Sequence, residues 1–189
     1  MPIPRTCKVH GDVALKIMEH EKEWCTCTKC IMANWTSHHV FWRGEVPCDI
    51  LFIGEAPGRE EDRIGVPFQG AAGGVLQMWL RQALEDIEFK YAITNLVCCR
   101  PVDRPRGPNR VPTLLEQAKC FPRLEYFVEE IAKPKGIVAM GRTARESDFI
   151  SKTMVPYIVT RHPAYYCYSG GEGKDQAEKI VSFAMELNL

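Results

Sequence analysis

The side chains of this sequence that could do chemistry fall into a few short stretches. One is Asp49-Ile-Leu-Phe-Ile-Gly-Glu-Ala-Pro-Gly-Arg-Glu-Glu-Asp62, continuing through Gly65-Val-Pro-Phe-Gln-Gly70 to Ala72-Gly-Gly-Val-Leu76, which gathers Glu55, Glu61, Phe68 and several glycines. An apolar run of strand length ends at Gly54, and a turn rich in glycine, proline and acid follows. That makes a loop at the carboxyl end of a strand, where open α/β sheets form their ligand crevice. The same stretch also reads as a tight connection with solvated acids.

Asn95 closes a second apolar run, Tyr91-Ala-Ile-Thr-Asn-Leu-Val97. An asparagine there either caps a turn or faces the crevice, where its amide can read a hydrogen-bonding edge with one donor and one acceptor group. The thiols form another set. Nine cysteines is high for a reducing compartment, where clustered thiols more often bind metal or work in redox chemistry than form disulfides. Cys27-x-x-Cys30 has the spacing to hold one metal centre from a single turn, or to act as a redox pair. His38 and His39 are neighbours and point in different directions, so packing explains them better than ligation. Arg100, Arg104, Arg106 and Arg110 make the densest positive stretch, either a proline-stiffened solvated loop or a phosphate contact.

These residues need a frame. Asp12 can cap a helix running to Trp24, and Ile31 to Pro47 reads as a packed loop or short hairpin. Val75, Leu76, Trp79, Leu80, Ala83 and Leu84 repeat at helical spacing. Thr113-Leu-Leu-Glu116 fits a capping box opening a helix that carries Cys120, with a kink or a new helix expected at Pro122. Gly136-Ile-Val-Ala-Met-Gly141 and Pro156-Tyr-Ile-Val-Thr160 read as strands, Arg142 to Ile150 as a short helix, and about Asp175 to Leu187 as a closing amphipathic helix. Strands alternating with helices predict a three-layer α/β/α fold with a central four-stranded parallel sheet. Four loops then leave one edge carrying Glu55, Glu61 and Phe68, then Asn95, then Gly141 and Arg142, then His162.

At 189 residues, 46% hydrophobic and 25% charged, the chain fits a single domain over 1–189. No apolar run approaches a membrane span, and the first residues lack the apolar core of a signal peptide, so a cytoplasmic protein is expected. A formal net charge of zero leaves any nucleic-acid binding to a local basic face.

From about Cys27 to Tyr165 the chain resembles the family-four, iron–sulfur branch of the uracil-DNA glycosylase superfamily. The resemblance is carried by Gly54-Glu-Ala-Pro-Gly58 with Glu61-Asp62, by Gly65-Val-Pro-Phe-Gln-Gly-Ala-Ala-Gly73, by Thr94-Asn-Leu-Val97 and by His162-Pro-Ala164, in that order. It implies excision of uracil from single- or double-stranded DNA by a monomeric enzyme. Phe68 is then expected to stack on the extruded base, Asn95 to read its polar edge and Glu61 to help exclude a thymine methyl. Glu55 is expected to orient water or support positive charge on the sugar, beside Ala56, and His162 to donate to the leaving base. Hydrolysis of an N-glycosidic bond needs such groups, because negative charge builds on the base and positive charge on the sugar. The resemblance further implies a [4Fe-4S] cluster on Cys27, Cys30, Cys99 and Cys120, with zinc as the alternative that spacing leaves open.

Three departures accompany it. The insert from Val102 to Arg110 looks longer than usual in the family, and Cys25 and Cys98 lie beside expected ligands. Tyr165-Tyr-Cys-Tyr-Ser-Gly-Gly follows the histidine motif where the family has leucine and arginine, so Tyr165 or Tyr166 is expected to meet DNA, with Arg104, Arg106 and Arg110 on phosphate. The competing readings are a diverged, non-catalytic member that binds DNA or a replication partner, and a glycosylase for another modified base.

Overall fold

The computed structural model describes residues 7–189. Residues 1–6, from which the lack of a signal peptide was read, lie outside the described residues. The chain runs β1 (Cys7–Val9), α1 (Val13–Trp24), a 3-10 turn (Ile31–Asn34), β2 (Trp42–Val46), β3 (Ile50–Gly54), α2 (Arg59–Ile64), α3 (Ala71–Asp86) and β4 (Tyr91–Asn95). It continues through α4 (Leu114–Tyr126), a π-helical stretch (Phe127–Ala132), β5 (Gly136–Met140), α5 (Arg142–Arg145), α6 (Asp148–Lys152), β6 (Tyr157–Thr160), α7 (Ala164–Ser169) and α8 (Lys174–Glu186).

The strands form one six-stranded sheet in the order β1-β2-β4-β3-β5-β6. The expected four parallel strands are its β4-β3-β5-β6 portion, but the sheet is wider and mixed. β2 pairs antiparallel to β4, and β1 adds parallel to β2. The physical reason is the short link Pro47–Asp49, which turns the chain back into β3 without a helical crossover and so leaves β2 running the other way. Expectation missed β2 because Arg43, Gly44 and Glu45 interrupt its apolar pattern. Gly44 is required there: its φ is +106°, and a Cβ would meet the Tyr91 carbonyl oxygen at 2.4 Å.

Strand side chains alternate between two cores, as a sheet covered on both faces demands. Leu51, Ile53, Ala92, Ile137 and Ala139 pack toward α1, α4 and the π-helical stretch. Ile50, Phe52, Ile93, Val138 and Met140 pack toward α3 and α8. The α/β/α layering therefore holds. Thr113 caps α4 as its sequence promised, accepting from the Glu116 N–H while Glu116 accepts from Thr113 N–H at 2.8 Å. The helix continues through Pro122 and departs from α geometry only at Phe127. Its buried face of Cys120, Arg123 and Leu124 holds it across the missing hydrogen bond. No helix among the described residues is long and apolar enough to cross a membrane.

Candidate active site and cysteine cluster

The loops after β3, β4 and β6 meet around a cavity of about 430 Å³ lined by Glu55, Ala56, Glu61, Phe68, Asn95 and His162, with Asn109, Cys167 and Tyr168 at its wall. Asn95 is 2% exposed, and its Oδ1 has no hydrogen-bond partner. A buried amide oxygen without a partner costs about 1–3 kcal/mol, a cost that a ligand N–H removes. Gly54 keeps this corner open: a Cβ there would lie 2.5 Å from Asn95 Oδ1 and 2.6 Å from Phe68 Cζ.

Phe68 is buried and holds a left-handed backbone, φ +54°, which costs a non-glycine residue about 1–3 kcal/mol and needs support from its surroundings. Glu61 supplies it. Its Oε1 accepts from the N–H groups of Gln69 and Gly70, both at 2.8 Å, and its Oε2 accepts from Gly58 N–H at 3.0 Å. The carboxylate thus ties two turns together while lining the cavity. The first turn of α3 closes on the same loop, where a Cβ on Gly73 would meet the Phe68 carbonyl oxygen at 1.9 Å.

The His162 ring lies 6.0 Å from that of Phe68. Its Nδ1 accepts from the Ala164 N–H at 3.2 Å, so the neutral ring carries its proton on Nε2. Burial holds its pKa below the usual histidine value, favouring that neutral form. Glu55 is oriented by Thr143, whose hydroxyl donates to Glu55 Oε2 at 2.5 Å. Together these groups offer a flat slot with an aromatic face, an amide at one edge, an N–H donor and a fixed carboxylate.

The arginine loop divides. Arg110 pairs with Glu116 and Asp103 at 2.7 Å, so its charge is neutralised inside the protein. Arg100 is buried, donating to Asn109 Oδ1 at 2.6 Å and to the Gly107 carbonyl at 2.7 Å. Arg104 and Arg106 are exposed. Of the tyrosines expected at DNA, Tyr165 is exposed, but Tyr166 is half-buried with its ring edge-on to Trp79 at 5.5 Å. That packing turns Tyr166 inward, and Tyr168, 92% exposed at the cavity rim, holds the outward position.

The thiols gather on the other face of the sheet. Cys98, Cys99 and Cys120 are buried in one cluster, against which Cys25, Cys27 and Cys30 pack. Cys120 Sγ lies 3.8 Å from Cys98 Sγ, so its thiol contacts the neighbour of an expected ligand. Contact with Cys98 and burial push the Cys120 thiol well up, and burial pushes up Cys30. Among the described residues no three His, Cys, Asp or Glu side chains form a ready-made single-ion site. The surroundings nevertheless suit an anionic thiolate-bound group. Arg123, fully buried, donates to the Asn95 carbonyl at 2.6 Å and the Leu96 carbonyl at 3.3 Å, makes no ion pair among the described residues, and leaves its Nε unpartnered. Both Cys98 and Cys120 are pushed up by their thiol neighbours and burial, and the Arg123 charge opposes that rise. A buried cation wants a counter-charge, and soft thiolates from distant segments are the donors of iron–sulfur clusters.

Arg123, Thr143, Asn109 and Tyr168 escaped the sequence reading. Thr143 had a signal, since it follows a strand end on the crevice edge, but Arg123 sits mid-helix and gave none.

The sequence profile described as the uracil DNA glycosylase superfamily matches residues 41–184. The chain is similar to a Type-4 uracil-DNA glycosylase of Archaeoglobus fulgidus, 39% identical over 128 residues, 68% of this chain and 61% of that protein. It is 42% identical over 118 residues to one from Thermotoga maritima, 62% of this chain and 58% of that protein. With one from Sulfurisphaera tokodaii it is 37% identical over 122 residues, 65% of this chain and 53% of that protein. The chain thus spans between half and two thirds of the length of these curated relatives.

Proposed function

The chain belongs to the uracil DNA glycosylase superfamily, and from that premise we propose that it hydrolyses the N-glycosidic bond of uracil in DNA, leaving an abasic site. The observation that carries the reading is the unpartnered Asn95 Oδ1 at the floor of an aromatic-walled cavity. Uracil offers an N3–H for that oxygen and an O4 for the amide N–H. Cytosine offers an acceptor and a donor in the reverse order.

In this reading the extruded base stacks on Phe68, a contact worth roughly 1–3 kcal/mol that offsets much of the cost of flipping. Glu61 stiffens the wall against a thymine methyl. As the bond to the sugar breaks, negative charge moves onto uracil O2, and the His162 Nε2–H donates to it from a neutral ring. Glu55, held by Thr143 beside Ala56, orients the attacking water and offsets positive charge on the sugar. Cys27, Cys30, Cys99 and Cys120 would hold a [4Fe-4S] cluster, which would supply a structural cross-link between distant segments and negative charge to offset that of Arg123.

The test is excision from single- and double-stranded oligonucleotides holding one uracil, read by alkaline cleavage of abasic sites. Wild type should release uracil, and Asn95→Asp, which replaces the donor to O4 with an acceptor, should lose most of that activity. A chain with full iron content that binds both DNAs and releases nothing would favour the binding-module reading instead.

A further inference from the structure

Beside the cavity lies a second hollow with no function in the scheme above. It is lined by Arg142, Arg145, Arg161 and Lys179, with Thr160 and Tyr165 among its other walls, and shares His162 with the cavity. No aspartate or glutamate lines it. Its cations come from three separate segments, the start of α5, the end of β6 and the outer face of α8, so only the fold assembles them. Arg145 is partnered by Glu146 and Arg161 stacks on Tyr165 at 4.8 Å, while Arg142, Arg161 and Lys179 make no ion pair among the described residues. A second observation points to a ligand: Thr160 is 3% exposed and its Oγ1 has no hydrogen-bond partner.

We infer that this hollow binds phosphates of the DNA strand whose nucleotide is extruded into the cavity. The inference rests on the proposed uracil-excision reading and adds to it where the backbone runs. A nucleotide turned into the slot leaves its phosphodiesters just outside the mouth, and the hollow shares His162 with that slot. Arginine and lysine neutralise such phosphates, and a hydroxyl can donate to their oxygens. The chain's zero net charge makes a local concentration of cations the feature that can attract a strand. It also moves the main phosphate contact off the arginine loop, where Arg100 and Arg110 are engaged within the protein and Arg104 and Arg106 alone stay exposed.

Counterion release gives the test. Each phosphate neutralised on single-stranded DNA contributes about 0.7 to the slope of log affinity against log salt. Binding of the whole chain to a uracil-free single-stranded oligonucleotide should therefore lose about 2 units of slope in the Arg142→Gln, Arg161→Gln, Lys179→Gln triple variant. Lys179→Gln alone should lose about 0.7, giving a reading even if the triple variant folds poorly. An unchanged slope in variants that melt like wild type overturns the hollow, whether or not wild type excises uracil. A lowered slope in a chain that excises no uracil keeps the hollow and removes the excision reading. If wild type binds no DNA at all, both fall.

Discussion

Thr143 and Glu55 show what a single side chain contributes here. The hydroxyl donates to one oxygen of the carboxylate at 2.5 Å, and Glu55 lines the cavity. A hydrogen bond to a charged group is worth about 1.5–3 kcal/mol, so Thr143→Val should slow single-turnover excision by roughly 10–100-fold, whereas Thr143→Ser should retain most of the rate. Equal rates in Thr143→Val and wild type would reduce Thr143 to packing. Glu55, Phe68, Asn95 and His162 were legible in the sequence because each sits in a short motif at a strand end. Asn109 was not, since its relevance comes from a contact with Arg100, and Thr143 was passed over despite its place after a strand end, because its partner Glu55 lies 88 residues away.

At the scale of elements, α4 is fastened to the end of β4 by Arg123, which donates to the carbonyls of Asn95 and Leu96. The same guanidinium lies beside His20 of α1, whose Nε2–H donates to the Arg123 carbonyl at 3.3 Å. Phe41, Tyr126 and Phe127 surround the His20 ring. Burial first, then the Arg123 charge, push the His20 pKa down to about 3. The unfolded chain, with histidine near 6.5, therefore takes up this proton first. The stability held above pH 6.5 is lost as pH falls toward 3, by up to about 1.4 kcal/mol per pH unit from this residue. Melting curves at pH 7, 6 and 5 should show that decline, and His20→Phe should flatten it. An equal slope in the variant would place the acid sensitivity elsewhere. Arg123→Met should lower the melting temperature strongly, since each buried carbonyl left unpaired costs about 1–3 kcal/mol. The four longest helices, α1, α3, α4 and α8, and the four parallel strands were readable from periodicity, whereas α2 and α7 lie in glycine-rich stretches that read as loops and the single short helix expected over Arg142 to Ile150 divides into α5 and α6. The pairing of β2 with β4 was not, because Gly44 serves a close backbone approach and breaks the strand pattern.

Across the whole molecule, the sheet separates two centres, the cavity at its carboxyl edge and the thiol cluster under α4, with Arg123 reaching both. The cluster proposal predicts brown protein with about four irons per chain when purified without oxygen. Alanine at Cys27, Cys30, Cys99 or Cys120 should bleach it, and Cys98→Ala should not. Because Cys120 Sγ contacts Cys98 Sγ, bleaching by Cys98→Ala with colour retained in Cys99→Ala would shift the ligand set by one residue. A colourless chain holding one zinc would replace the cluster altogether. Motif order made the family legible, but the location of the basic hollow was hidden, since Arg142, Arg161 and Lys179 are scattered in sequence and meet only in the fold.

The central claim is that the cavity breaks the glycosidic bond of uracil by donating from His162 to the departing base. Single-turnover release of free uracil, with enzyme in excess over a uracil-containing oligonucleotide, measures that step directly. Wild type should release uracil, and His162→Ala should do so roughly 10²–10³ times more slowly, the usual loss for one such donor, while binding the oligonucleotide with little change. Equal rates in the two proteins, or no uracil released by iron-replete wild type, would contradict the account.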